Sequence, residues 1–179
     1  MSKLKILFVG VILSHLFTAC SPTLYPFTDE MYQEFSKEEL SKIQFYLSKD
    51  IVLYRDYGGK MSEVENGTIK IVDGRQIEEV VFKSGTPGVF LFTPKSNKIA
   101  VCFEENNENF LMFGASRTNN GRFVLLAKEW ERNYGTISYA GKLWKTRDEN
   151  AFANLLVDFD RARKTKVERK TVGGRKIEG

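Results

Sequence analysis

The sequence predicts a mainly β fold: one or two short N-terminal helices, then an antiparallel β-meander forming a sandwich or a barrel. Three observations carry that expectation. From Ile51 onward the chain breaks into short runs rich in Val, Ile, Phe, Tyr and Leu. Turn residues separate these runs at intervals of about 8–12 residues, the rhythm of all-β domains. Helical spacing of apolar residues is clearest before residue 51.

Taken in order, Thr28 can cap a short helix running to Phe35, with Asp29 and Glu30 at its positive end. Ser36-Lys37-Glu38-Glu39 reads as a capping box. Leu40, Ile43 and Leu47 follow at helical spacing, so a helix is expected from Ser36 to about Ser48–Asp50. Strands are expected over 51–55, 67–72, 76–83, 88–93, 98–104, 109–114, 122–131, 136–140 and 142–146. The turns between them include Gly58-Gly59, Asn66-Gly67, Asp73-Gly74, Thr86-Pro87-Gly88, Asn120-Gly121 and Ala140-Gly141. Asp-Gly and Asn-Gly tolerate the positive φ of tight hairpins, and Asp73-Gly74 is the clearest case. Along 88–93, simple alternation puts Phe90 and Phe92 on one face and Val89 and Leu91 on the other. Strands apolar on both faces imply burial on both sides, or a barrel with a filled or ligand-holding interior.

Residues 150–160 carry two patterns. Phe152, Leu155, Leu156 and Phe159 suit a helix, whereas Ala153, Leu155, Val157 and Phe159 alternate as in a strand. The turn at Arg147-Asp148-Glu149-Asn150 favours the strand. Lys164–Val172 then alternates basic residues with Thr165 and Val167 and reads as a final polar strand. Val72-Asp73-Gly74-Arg75-Gln76-Ile77-Glu78 is echoed by Val172-Gly173-Gly174-Arg175-Lys176-Ile177-Glu178, which shared hairpin chemistry explains.

The N-terminus has a different character. Lys3 and Lys5 precede an apolar run from Ile6 to Leu13, and small residues Thr18 and Ala19 precede Cys20. A basic start, a short apolar core and a small-residue exit compose a signal peptide, here residues 1–19. Leu16-Phe17-Thr18-Ala19-Cys20 resembles the bacterial lipobox, with Phe17 where an aliphatic residue is usual. That resemblance implies cleavage before Cys20 and lipid on its thiol. The chain as a whole resembles the small envelope lipoproteins of two-membrane bacteria, and no resemblance assigns the folded part an activity. Ser21, where an Asp would favour the inner membrane, points to an outer-membrane anchor facing the periplasm. Residues 20–27, with Pro22 and Pro26, read as an extended lipidated tether. Residues 28–179 form one domain.

Composition narrows the chemistry. His15 is the only histidine, and it lies in the signal peptide. The mature chain thus lacks the usual base of Ser-His-Asp or Cys-His catalysis and any histidine-bearing metal site. Cys102, within Ile99–Phe103, is the one thiol left beside Cys20 and reads as a buried small hydrophobe. The acidic loop Glu104, Glu105, Asn106, Asn107 and Glu108 lacks the spacing of an EF-hand and reads as a solvated hairpin tip. No catalytic residue, metal or cofactor is assigned.

Charge is concentrated at one end. Residues 161–179 carry Arg161, Arg163, Lys164, Lys166, Arg169, Lys170, Arg175 and Lys176 against Glu168 and Glu178. These basic residues are candidates for an anionic partner, either another envelope protein or an anionic envelope polymer; nucleic acid is not expected in that compartment. The expected function is a non-enzymatic binding, accessory or assembly lipoprotein. The alternatives are a β-barrel carrier or sensor of an apolar ligand and, further off, a carboxylate-based hydrolase of the envelope.

Overall fold

The computed structural model describes residues 22–57, 68–72 and 74–167. Residues 1–19, expected as a signal peptide, and Cys20 lie outside these residues, as do Arg169, Lys170, Arg175 and Lys176 and the second copy of the V-x-G-R-x-I-E pattern. The expected mainly β architecture is present, with two antiparallel sheets and a few short helices.

The chain starts with β1 (Leu24–Pro26), followed by α1 (Asp29–Glu34) and α2 (Lys37–Leu40). Thr28 caps α1, accepting from the Met31 N–H. Ser36 and Glu39 complete the capping box of α2: the Glu39 N–H donates to Ser36 Oγ, and the Ser36 N–H donates to Glu39 Oε2 at 2.8 Å. The helix expected to run on to residue 48 stops at Leu40. Gln44–Leu47 instead form β2, with Phe45 and Leu47 inward and Gln44 and Tyr46 outward. Strand pairing on both sides of β2 prevails over local helical spacing.

The remaining strands are β3 (Ile51–Asp56), β4 (Thr68–Val72), β5 (Arg75–Phe82), β6 (Pro87–Lys95), β7 (Lys98–Cys102), β8 (Phe110–Ala115), β9 (Phe123–Leu125), β10 (Glu129–Trp130), β11 (Tyr134–Tyr139), β12 (Lys142–Arg147) and β13 (Leu155–Asp158). One sheet has the order β1-β13-β2-β6-β7-β8-β9, and the other β10-β11-β12-β3-β5-β4. Gly74, at φ +76°, takes the left-handed position in the β4–β5 hairpin, as the Asp-Gly signal requires.

Three details depart from the sequence reading. A register shift in β6 pairs Phe90 with Val101 but Phe92 with Ala100. Phe90 therefore packs on the core, while Phe92 faces outward against Phe110, ring centroids 5.2 Å apart. The expected strand 122–131 divides into β9 and β10. At the C-terminal end, a 3₁₀ turn over Asp148–Phe152 leads into β13, and α3 (Phe159–Val167) takes the first residues of the polar strand expected over Lys164–Val172, of which 168–172 lie outside the described residues. The Asp158 carboxylate accepts from the Arg161 N–H at the start of α3, and Lys and Arg favour helix there.

The inward faces of both sheets share one core. Phe82 of β5 meets Phe103 and Tyr139, Tyr139 meets Trp144, and Phe103 meets Phe113. The seven-stranded sheet curls until its ends touch: the Phe123 N–H donates to the Phe27 carbonyl, and the Leu125 N–H donates to that of Ala153. Isolated bridges Thr28–Arg122 and Val124–Asn154 continue that closure and cover edge groups that would otherwise stay open. Residues Leu24–Phe27, expected as free tether, are thus part of the fold, with Phe27 fully buried between Phe45 and Phe123.

Candidate functional site

A seam in the six-stranded sheet opens a groove lined by charged and aromatic side chains. Among the described residues, strands β3 and β12 pair at Leu53–Thr146 and Tyr54–Lys145 only. One side of this short pairing is pinned: Thr146 Oγ1 donates to the Val52 carbonyl at 2.8 Å, and Asn150 Nδ2 donates to Thr146 Oγ1 at 2.7 Å. Both polar side chains are buried and satisfied by these bonds. On the other side, the next residues in register are Arg55 and Trp144. They meet through their side chains, with the guanidinium 5.0 Å from the indole, instead of through backbone pairing. Beyond them the strands part around an open groove of about 780 Å³.

A buried ion pair organises the inner wall. Arg55 and Glu78 are cross-strand neighbours on β3 and β5, and both take inward positions. The Arg55 guanidinium donates to Glu78 Oε2 through Nε at 2.6 Å and contacts it again through Nη2. Glu78 is only 2% exposed, so this pairing compensates a charge that would be costly alone. With Arg55 neutralised, the groove's charges among the described residues are Arg75, Lys145 and Asp56. Strand β12 supplies further basic character: Lys142, Lys145 and Arg147 are all exposed, and the strand has no acid. Lys145 also lies 4.8 Å over the Tyr134 ring. Glu131 raises the Tyr134 hydroxyl pKa above its usual value by accepting its hydrogen bond.

The basic residues expected to meet an anionic partner are separated from this groove. Arg161, Arg163 and Lys164 lie on α3, beside β13 in the other sheet. Lys166 belongs to the same helix, but its side chain is outside the described set. The groove itself was missed because its residues are scattered over β3, β5, β11 and β12. A signal existed in the charged residues at inward strand positions: Arg55 continues the Ile51, Leu53 alternation, and Glu78 precedes Val80 and Phe82 on the same face.

The other candidates have structural roles. Cys102 is buried, and its thiol lies 3.1 Å from the Glu104 carbonyl and 3.3 Å from those of Asn106 and Asn109. Asn109 Nδ2 donates to Glu104 Oε2 at 2.7 Å, so this loop is organised by its own hydrogen bonds. Among the described residues no three His, Cys, Asp or Glu side chains gather as metal ligands would, and no helix is long and apolar enough to cross a membrane. No family model, curated protein or solved structure matches the chain.

Proposed function

We propose that this chain is a lipid-anchored envelope protein that works by binding, and that the β3–β12 groove receives an extended acidic segment of another envelope protein. The carrying observation is the parted seam: among the described residues, two strands turn incompletely paired edges towards a groove bordered by a strand rich in exposed cations. An extended peptide can add to such edges through its backbone, while acidic side chains meet Arg75 and Lys145 in the groove. Filling of the inter-sheet space by Phe82, Phe113, Tyr139 and Trp144 supports binding at the surface over storage of an apolar molecule inside. The lipobox and a mature chain without histidine support the anchored, non-enzymatic part of the reading.

Two experiments test it. Replacing Cys20 with Ala should move the protein from the membrane to the soluble fraction of the envelope; unchanged membrane association removes the anchor. Titration with synthetic acidic decapeptides and basic controls tests the groove. Binding should prefer the acidic peptides, weaken with added salt, and fall about tenfold in Arg75→Glu/Lys145→Glu, equivalent to about 1.4 kcal/mol. Equal affinity for acidic and basic peptides removes the groove reading.

A further inference from the structure

The anchored end of the domain has a surface of its own. Strand β1 begins at Leu24, which pairs with Asp158, the residue before α3. Tyr25 and Phe159 meet edge to face at 6.2 Å, and they are 50% and 36% exposed. With Pro26 and Met31 they line a shallow hollow of about 530 Å³, and Arg122 stands in its wall. Arg163 places its guanidinium 5.6 Å over the Phe159 ring, and Lys164 is exposed beside it in sequence. Asp158 and Asp160 are the acids at this helix start, and Asp158 is engaged in capping it. Exposed aromatic rings bordered by Arg and Lys are the composition of a membrane–water interface, where the rings enter the headgroup layer and the cations meet phosphates.

Chain length brings this surface near the bilayer. Four residues lead from Cys20 to Leu24, and a fully extended chain covers at most about 3.6 Å per residue. If Cys20 bears the lipid, Leu24 lies within about 14 Å of it. Because Leu24 pairs with Asp158, a tether that bends can bring the cations of α3 within the roughly 8 Å over which headgroup charge is felt at physiological salt.

We infer that the β1–α3 end is a membrane-contact face that seats the domain on anionic phospholipid, through Tyr25, Phe159, Arg122, Arg163 and Lys164. The inference rests on the proposed lipid at Cys20. A seated domain would keep a fixed orientation, with α3 against the headgroups.

The test uses the full lipidated protein carrying Phe159→Trp, reconstituted in phosphatidylglycerol–phosphatidylcholine vesicles with bromine-labelled acyl chains. Wild type gives the baseline from Trp130 and Trp144, and circular dichroism checks the fold. The variant should float with the vesicles and be quenched beyond that baseline. The extra quenching should fall by half or more in Arg163→Glu/Lys164→Glu and in vesicles of phosphatidylcholine alone. Flotation without extra quenching overturns the contact face and leaves the anchor standing. Equal quenching in the two lipid compositions overturns the role of anionic headgroups. Failure to float, with no acyl mass on the N-terminal peptide, overturns the anchor and the contact face together.

Discussion

Arg55 and Glu78 show how a charged pair can hold an inward position on a strand. Neither suits the interior alone, but together they satisfy each other, and Trp144 covers the guanidinium. Arg55→Met should cost about 3 kcal/mol in urea unfolding, because Glu78 is left buried without its cation. Arg55→Met/Glu78→Leu should recover most of that loss, since an apolar pair of similar bulk needs no compensation. A different case is Asp50, an exposed carboxylate. It accepts from the Ser84 N–H at 2.8 Å and from Lys83 Nζ at 2.9 Å. The Ser84 hydrogen bond and then the Lys83 ammonium lower its pKa from the usual carboxylate range. A pKa lowered in the folded state adds stability above the unfolded value, near 4, and that contribution is lost as pH falls through the folded value. NMR titration should find Asp50 titrating below an unfolded-state Asp. Asp50→Asn should flatten the acid limb of the stability curve and leave the neutral region nearly unchanged in slope.

Strands and turns were legible wherever one local rule decided them, and illegible where a partner did. Asp73-Gly74 specifies its hairpin within a few residues, so β4 and β5 follow from the sequence. The Ser36 capping box was equally readable, yet the length of its helix was not. Leu40, Ile43 and Leu47 satisfy a helical period, while Phe45 and Leu47 also satisfy a strand period, and only β6 and β13 decide between them. The bulge in β6 was hidden for the same reason: no residue in 88–93 announces that Phe92 will turn outward. The groove combines four strands, so its parts were visible only as misplaced charges. Between β10 and β11, Trp130 lies opposite Gly135, and a Cβ on Gly135 would stand 2.5 Å from the indole. The ring covers the hydrogen-bonded strand where the glycine leaves room. Gly135→Ala should displace Trp130 towards solvent and red-shift its emission. Because this indole is already 37% exposed at the sheet edge, the loss of stability should stay within about 1 kcal/mol.

At the scale of the molecule, Phe27 links closure of the fold to its N-terminal strand. Its N–H donates to the Leu155 carbonyl, and its own carbonyl accepts from the Phe123 N–H, so one residue joins β13 and β9, near opposite ends of the seven-stranded sheet. Its ring is fully buried, 5.1 Å from Phe45 and 4.9 Å from Phe123. Phe27→Ala keeps the backbone bonds possible but removes the packing that holds them, at a cost of about 3–5 kcal/mol. The loss should fall unevenly. Strand β1 pairs with β13 over three positions and, among the described residues, has no neighbour on its other side in the sheet order, so it depends on Phe27 more than the central strands do. Limited proteolysis of Phe27→Ala should cut first around residues 22–28, under conditions in which β6–β8 resist cleavage. If Cys20 bears the lipid, as proposed, this release would lengthen the effective tether beyond the four residues before Leu24 and free the proposed contact face from the bilayer. Uniform proteolysis, with no early cut before residue 28, would show instead that β1 is held independently of Phe27.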